Sequence, residues 1–202
     1  MPTTASNYIY YNGSRTLTLN LVGTNTIKNT NNRTYANVIT APAATLIIDG
    51  SGILNVEGAR NTIFAESIVI SGGTVNATSS KCNGIYVGND VTINGGIVNS
   101  TSVDEGSGIY GPHGVTINAG TVRSISMGNS NQWNCGIKTS DGGVIINGGD
   151  VYAEGRVGIR TEDNSQIIIG KNISSVISKG NSDNVDSKAV VGTVKNAVTG
   201  TG

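Results

Sequence analysis

The chain has 202 residues, 29 of them Gly, with 4% aromatic residues, 13% charged residues and a formal net charge of zero. That balance offers no basic stripe to neutralise phosphates or anionic headgroups, which argues against a nucleic-acid partner and a membrane-surface role. The abundance of Gly, Asn, Thr and Ser favours turns and β-strands over long helices, and no apolar run approaches the roughly 18 residues of a membrane-spanning helix.

In chain order, the first forty residues are the least regular, but TLTLNLVGTNTIKN from Thr16 alternates apolar and polar positions and predicts a first rung of strands. LIIDGSGILNV follows at Leu46, and then one string recurs: SIVISGGTV from Ser67, VTINGGIV from Val91, VTINAGTV from Val115 and VIINGGDV from Val144. Their starts are 24, 24 and 29 residues apart, so one repeat carries an insertion. A second string lies between copies of the first: GIYVGND from Gly84, GIYGPHG from Gly108, GIKTSDGG from Gly136 and GIRTEDN from Gly158. QIIIGKNI from Gln166 is the last recognisable copy, and the pattern then decays towards VKNAVTGTG, as expected of a domain cut from a longer protein with neighbouring domains.

Each repeat holds three short strands: the one after GI, the VTIN strand, and the one after the glycine pair. A fixed period of this length means stacked repeats. The predicted fold is all-β, a right-handed single-stranded parallel β-helix with six to seven rungs and three short strands per rung. It forms one domain over 1–202, with a cap and first rung in 1–44, regular rungs in 45–173, and a last rung and tail in 174–202. Inward ladders are expected from Ile85, Ile109, Ile137 and Ile159 on one wall and from Val75, Val98, Val122 and Val151 on another. Asn94, Asn118 and Asn147, with Asp49 and Ser71 in register, read as a structural amide ladder. Cys82 and Cys135 fit no metal-ligand spacing, fall two rungs apart and read as free thiols. His113 reads as a solvent-facing turn residue.

The order TLTLNLVGTNTI, ATLIIDGSGILNV and reiterated VTINGG rungs resembles the β-helical carbohydrate-binding domains of Firmicutes surface and secreted proteins. The resemblance spans Thr16 to Lys171. It implies a pectate-lyase-like fold, an extracellular or cell-surface location, and calcium-assisted binding of acidic or cellulosic polysaccharide, with no individual calcium ligand transferable.

From the residues themselves, the position after each GI isoleucine reads Phe64, Tyr86, Tyr110, Lys138 and Arg160. Stacked at about 4.8 Å, close to one sugar of an extended polysaccharide, such a column could cover sugar C–H faces and hold carboxylates. The same column could equally do no more than stabilise the sheet face. The insertion SMGNSNQWN carries Trp133, the only Trp, into the Lys138 strand as a further candidate sugar platform. Asp90, Asp141, Glu162 and Asp163 gather in the turns after the GI strands. Asp141, Glu162 and Asp163 are the candidate calcium ligands, since crowded carboxylates need a cation, although Lys138 and Arg160 could supply the charge instead. The expected function is a non-catalytic carbohydrate-binding domain with a polysaccharide partner. The alternatives are a structural or adhesin spacer, and a lyase using Lys138 or Arg160 as proton acceptor.

Overall fold

The computed structural model describes residues 8–29, 36–128, 133–163 and 165–180, with the backbone of 188–191 and 193–196. Parts of the expected cap, of the insertion before Trp133 and of the tail lie outside these residues. The first coil is β1 (Ile9–Tyr10), β2 (Leu17–Leu21) and β3 (Thr24–Lys28). The second is β4 (Ile39–Gly50), bent across two walls, and β5 (Ile53–Gly58), and the third is β6 (Ile63–Ile70), likewise bent, and β7 (Thr74–Ser79). Three separate strands make the fourth, β8 (Ile85–Val87), β9 (Asp90–Ile93) and β10 (Ile97–Ser102), and the fifth, β11 (Ile109–Tyr110), β12 (Gly114–Ile117) and β13 (Thr121–Ser126). Then follow β14 (Cys135–Lys138) with β15 (Val144–Gly155), β16 (Val157–Arg160) with β17 (Gln166–Gly180), and β18 (Lys188–Val191) with β19 (Thr193–Asn196).

Each strand pairs in parallel with its counterpart one coil on, which makes three walls. On wall A the register runs Ile9, Ile39, Ile63, Ile85, Ile109, Ile137, Ile159, so the chain makes six turns between the first and last of these. This is the predicted parallel β-helix, consistent with the right-handed coiling that parallel crossovers adopt. From Ile39 onward every member of that ladder is buried. Wall B contributes the inward pairs Leu46 and Ile48, Ile68 and Ile70, Val91 and Ile93, Val115 and Ile117, and Val144 and Ile146. Wall C carries the expected ladder of Val75, Val98, Val122 and Val151. The walls enclose one continuous aliphatic core.

Two glycine positions show why the repeat is spelled as it is. The second Gly of the VTINGG string turns the chain from wall B to wall C in the left-handed region, with φ of 76° at Gly96, 93° at Gly120 and 87° at Gly149. The corners also stack closely, since a Cβ on Gly120 would lie 2.6 Å from the Gly96 carbonyl oxygen. The Gly before each wall A isoleucine answers a different need. Inward Ser100 and Ser124 donate to the carbonyls of Gly108 and Gly136 at 2.6 Å, and a Cβ on Gly108 would lie 2.3 Å from Ser124 Oγ. Each serine places a satisfied hydroxyl in an otherwise apolar core only because the neighbouring residue has no side chain.

The amide ladder forms as expected, with Asn118 donating to Asn94 and Asn147 to Asn118, both at 2.8 Å. A second ladder of the same kind runs down wall C, where Asn76 donates to Asn55 and Asn99 to Asn76 at 2.8 Å. Among the described residues neither Cys82 nor Cys135 forms a disulfide. Burial is the main influence on Cys135, and it pushes the thiol up to about 12.

Candidate functional site on wall A

Alternation fixes the geometry: with each GI isoleucine turned inward, the next residue faces out. The outward column therefore reads Tyr10, Thr40, Phe64, Tyr86, Tyr110, Lys138, Arg160 in unbroken register. The structure brings five of the expected binding residues into one line. It does not leave the rings open as platforms. Phe64 and Tyr86 stack with centroids 5.3 Å apart and planes 9° apart, and Tyr86 and Tyr110 follow at 5.3 Å and 35°. Their faces cover one another, so the column presents ring edges and phenol groups to solvent. The Tyr110 hydroxyl lies 2.8 Å from Ser140 Oγ. Burial, with a smaller contribution from Tyr110, pushes the Tyr86 phenol up.

Lys138 departs most from expectation. Its position faces out from the core, yet its side chain is 1% exposed. The ammonium sits 4.0 Å from the centre of the Trp133 ring and 4.8 Å from that of Tyr110, with Glu162 Oε1 at 3.2 Å. Among the described residues Nζ has no well-aligned hydrogen bond, so Glu162 holds it chiefly as an ion pair. Aromatic faces and one carboxylate thus take the place of water around the charge. Burial pulls the ammonium below its ordinary range, and Glu162 opposes that shift. Arg160 Nε donates to the same Glu162 oxygen at 3.2 Å, which makes this carboxylate the shared counter-charge of two cations.

Trp133 stands over this group with 45% of its surface exposed. Its backbone is pinned, since its carbonyl accepts from Ser107 Oγ at 2.8 Å and from the Cys135 N–H at 2.9 Å. Next to it, buried Asn134 donates to the Asp104 carbonyl at 2.9 Å. The indole is therefore held against the column at the Lys138 coil, with that cation beneath one face.

The three candidate calcium ligands are placed apart in function. Asp141 pairs with His113 Nδ1 at 3.1 Å, both half-exposed, which gives the expected solvent-facing histidine a carboxylate partner. Glu162 serves Lys138 and Arg160, and Asp163 stands exposed in the following turn with φ of 52°. Among the described residues, no three His, Cys, Asp or Glu side chains gather in a way that would hold a metal ion. Glu162 finds its counter-charge in Lys138 and Arg160, and Asp141 lies beside the His113 imidazole.

The sequence reading passed over the outward residues of wall C. The residue after each ladder valine reads Asn76, Asn99, Arg123 and Tyr152, a change visible in TVNAT, IVNST, TVRSI and DVYAE once those strands are aligned. Comparison of the chain with protein-family models, with curated proteins and with solved structures finds no match.

Proposed function

We propose that the protein is a non-catalytic carbohydrate-binding β-helix of a secreted or cell-surface protein, taking an extended polysaccharide along the outward column of wall A. Trp133 is the observation that carries this reading: a half-exposed indole with a pinned backbone, lying against Lys138 where the column passes from the Tyr110 phenol to the Arg160 guanidinium. The indole would cover the C–H face of one sugar. The edges of Tyr86 and Tyr110 and the guanidinium of Arg160 would meet hydroxyls or carboxylates of the sugars that follow, one coil per sugar. The proposal assigns calcium no ligand set, because Asp141 and Glu162 already have basic partners; calcium enters only as an arm of the test.

The test is retention of the purified domain on pectate, xylan and insoluble cellulose, with calcium and with chelator. Retention on one of them, weakened about tenfold or more by a Trp133→Ala variant that still unfolds in one cooperative transition, supports the reading; tenfold corresponds to about 1.4 kcal/mol. Absence of retention on all three sinks it. A second reading, a structural spacer, draws on a separate observation: the stacked rings and the Lys138, Glu162 and Arg160 group satisfy one another within the chain.

A further inference from the structure

The outward face of wall C changes character part-way along the helix. In its middle column Asn55, Asn76 and Asn99 form an amide ladder, and the same column continues as Arg123, Tyr152 and Ile177. The flanking columns, Thr121 and Ile125 beside Arg123, turn charged one coil later. Asp150 and Glu154 lie on either side of Tyr152, and Lys179 follows Glu154 on the next coil. A column that only stabilised the sheet would gain nothing by giving up self-paired amides for a guanidinium, a phenol and an aliphatic side chain flanked by three further charges.

Part of this patch is internally fixed and part is not. The Tyr152 hydroxyl donates to one Glu154 oxygen, and the Lys179 ammonium donates to the other at 3.3 Å. The Arg123 guanidinium lies 5.3 Å over the Tyr152 ring, and among the described residues it makes no ion pair or hydrogen bond. Asp150 likewise keeps an uncommitted carboxylate beside the ring. Ile177, 50% exposed, extends the apolar surface one coil further. Grooves run on both sides of Arg123, one lined by Thr121, Asp150, Tyr152 and Ile177, the other by Ile125, Met127 and Glu154.

The chemistry of a ligand follows from this arrangement. Arg123 and Lys179 balance Asp150 and Glu154, so the patch has no net field to draw an ion. It offers a forked donor, a carboxylate acceptor and hydroxyls beside the edge of the Tyr152 ring and the exposed Ile177 side chain. Vicinal hydroxyls of a neutral sugar use all three, because each hydroxyl both donates and accepts. We infer that wall C carries a second saccharide subsite, centred on Tyr152 and Arg123 and taking one or two units of a neutral oligosaccharide. It shares no residue with the wall A column and rests on the carbohydrate reading only for the class of ligand. With two such faces the domain is bivalent and can hold two chains at once.

Calorimetric titration with cellohexaose and with xylohexaose tests this on the native chain, on Tyr152→Leu, on Trp133→Ala and on the double variant, with thermal transitions to confirm folding. The native chain should take two equivalents of one hexasaccharide, each single variant one, and the double variant none. Arg123→Met should weaken the wall C equivalent about tenfold. Unchanged stoichiometry and affinity in Tyr152→Leu overturns the wall C subsite. Loss of all binding in Tyr152→Leu with none lost in Trp133→Ala supports it and overturns the wall A reading instead. If neither hexasaccharide binds the native chain the subsite falls, while the wall A reading is still decided by retention on pectate.

Discussion

The inside and the outside of this solenoid obey different rules. Inward, wall A repeats a single residue type from Ile9 to Ile159, whereas the outward position beside it passes from Tyr10 through Thr40, Phe64, Tyr86 and Tyr110 to Lys138 and Arg160. The inward isoleucine position of wall A has one task, filling a fixed volume without polar atoms, and one side chain suits every coil. An outward position has only to be satisfied by its neighbours. Rings do that by stacking, amides by hydrogen bonding, and Lys138 by a ring on either side and a carboxylate. Changes of chemistry along an outward column therefore mark the places where the chain has some requirement besides stacking.

The contrast should be largest in the core. Ile109→Ala, at a fully buried position in the middle of the ladder, is expected to cost roughly 2–5 kcal/mol in denaturant unfolding. A cost under 1 kcal/mol would mean that neighbouring coils close over the gap and that the inward ladder is less demanding than its uniformity suggests. Glu162→Gln should come next, at roughly 1–3 kcal/mol, because it leaves the Lys138 charge buried without an anionic partner. If it does, an outward pair approaches the cost of an inward side chain. Lys138→Met, which keeps the volume and removes the charge, should be neutral or stabilising in the same measurement.

The alkaline behaviour sharpens that pair. Burial lowers the Lys138 pKa in the folded state, so across the window between the lowered value and the ordinary 10.5 the unfolded state holds the proton more tightly. The penalty is fully present below this window and is relieved as pH rises through it. The stability of the native chain relative to Lys138→Met should accordingly rise with pH there, and a flat or falling difference would show that Glu162 outweighs burial. The smallest effect belongs to Asn118→Ala, which removes two solvent-facing ladder bonds at an expected cost of about 0.5–1 kcal/mol.

Much of the fold was legible in the sequence because the repeat is a physical constraint written many times over. The GI isoleucines and the valines after the glycine pair fall in register as expected, and so do Asn94, Asn118 and Asn147. The wall A column was legible for the same reason. Its surface was not, since alternation says which way Tyr86 points but not that its ring lies flat against Phe64. Nor does alternation say that an outward lysine can be covered. That depends on Trp133, which reaches Lys138 from an insertion outside the repeat, and on Glu162 from the following coil. The serines of wall C were hidden differently. Ser100 and Ser124 stand where other coils have Ala77 and Ala153, and only the close approach of Gly108 and Gly136 makes them acceptable inside.

Stacked parallel coils also give the molecule a mechanical grain. The hydrogen bonds between coils run along the helix axis, so tension applied between Ile9 and Gly180, on the first and seventh coils, loads one interface at a time, and the coils should peel off in sequence. Each release has the length of its own coil. The 24 residues from Val91 to Val115 would pay out about 8 nm of chain. The coil from Ile109 to Ile137, lengthened by the insertion that carries Trp133, would yield a visibly longer step. With the long first coil from Ile9 to Ile39 told apart by its place at the end of the stack, a force trace would show where the outward column changes from rings to cations.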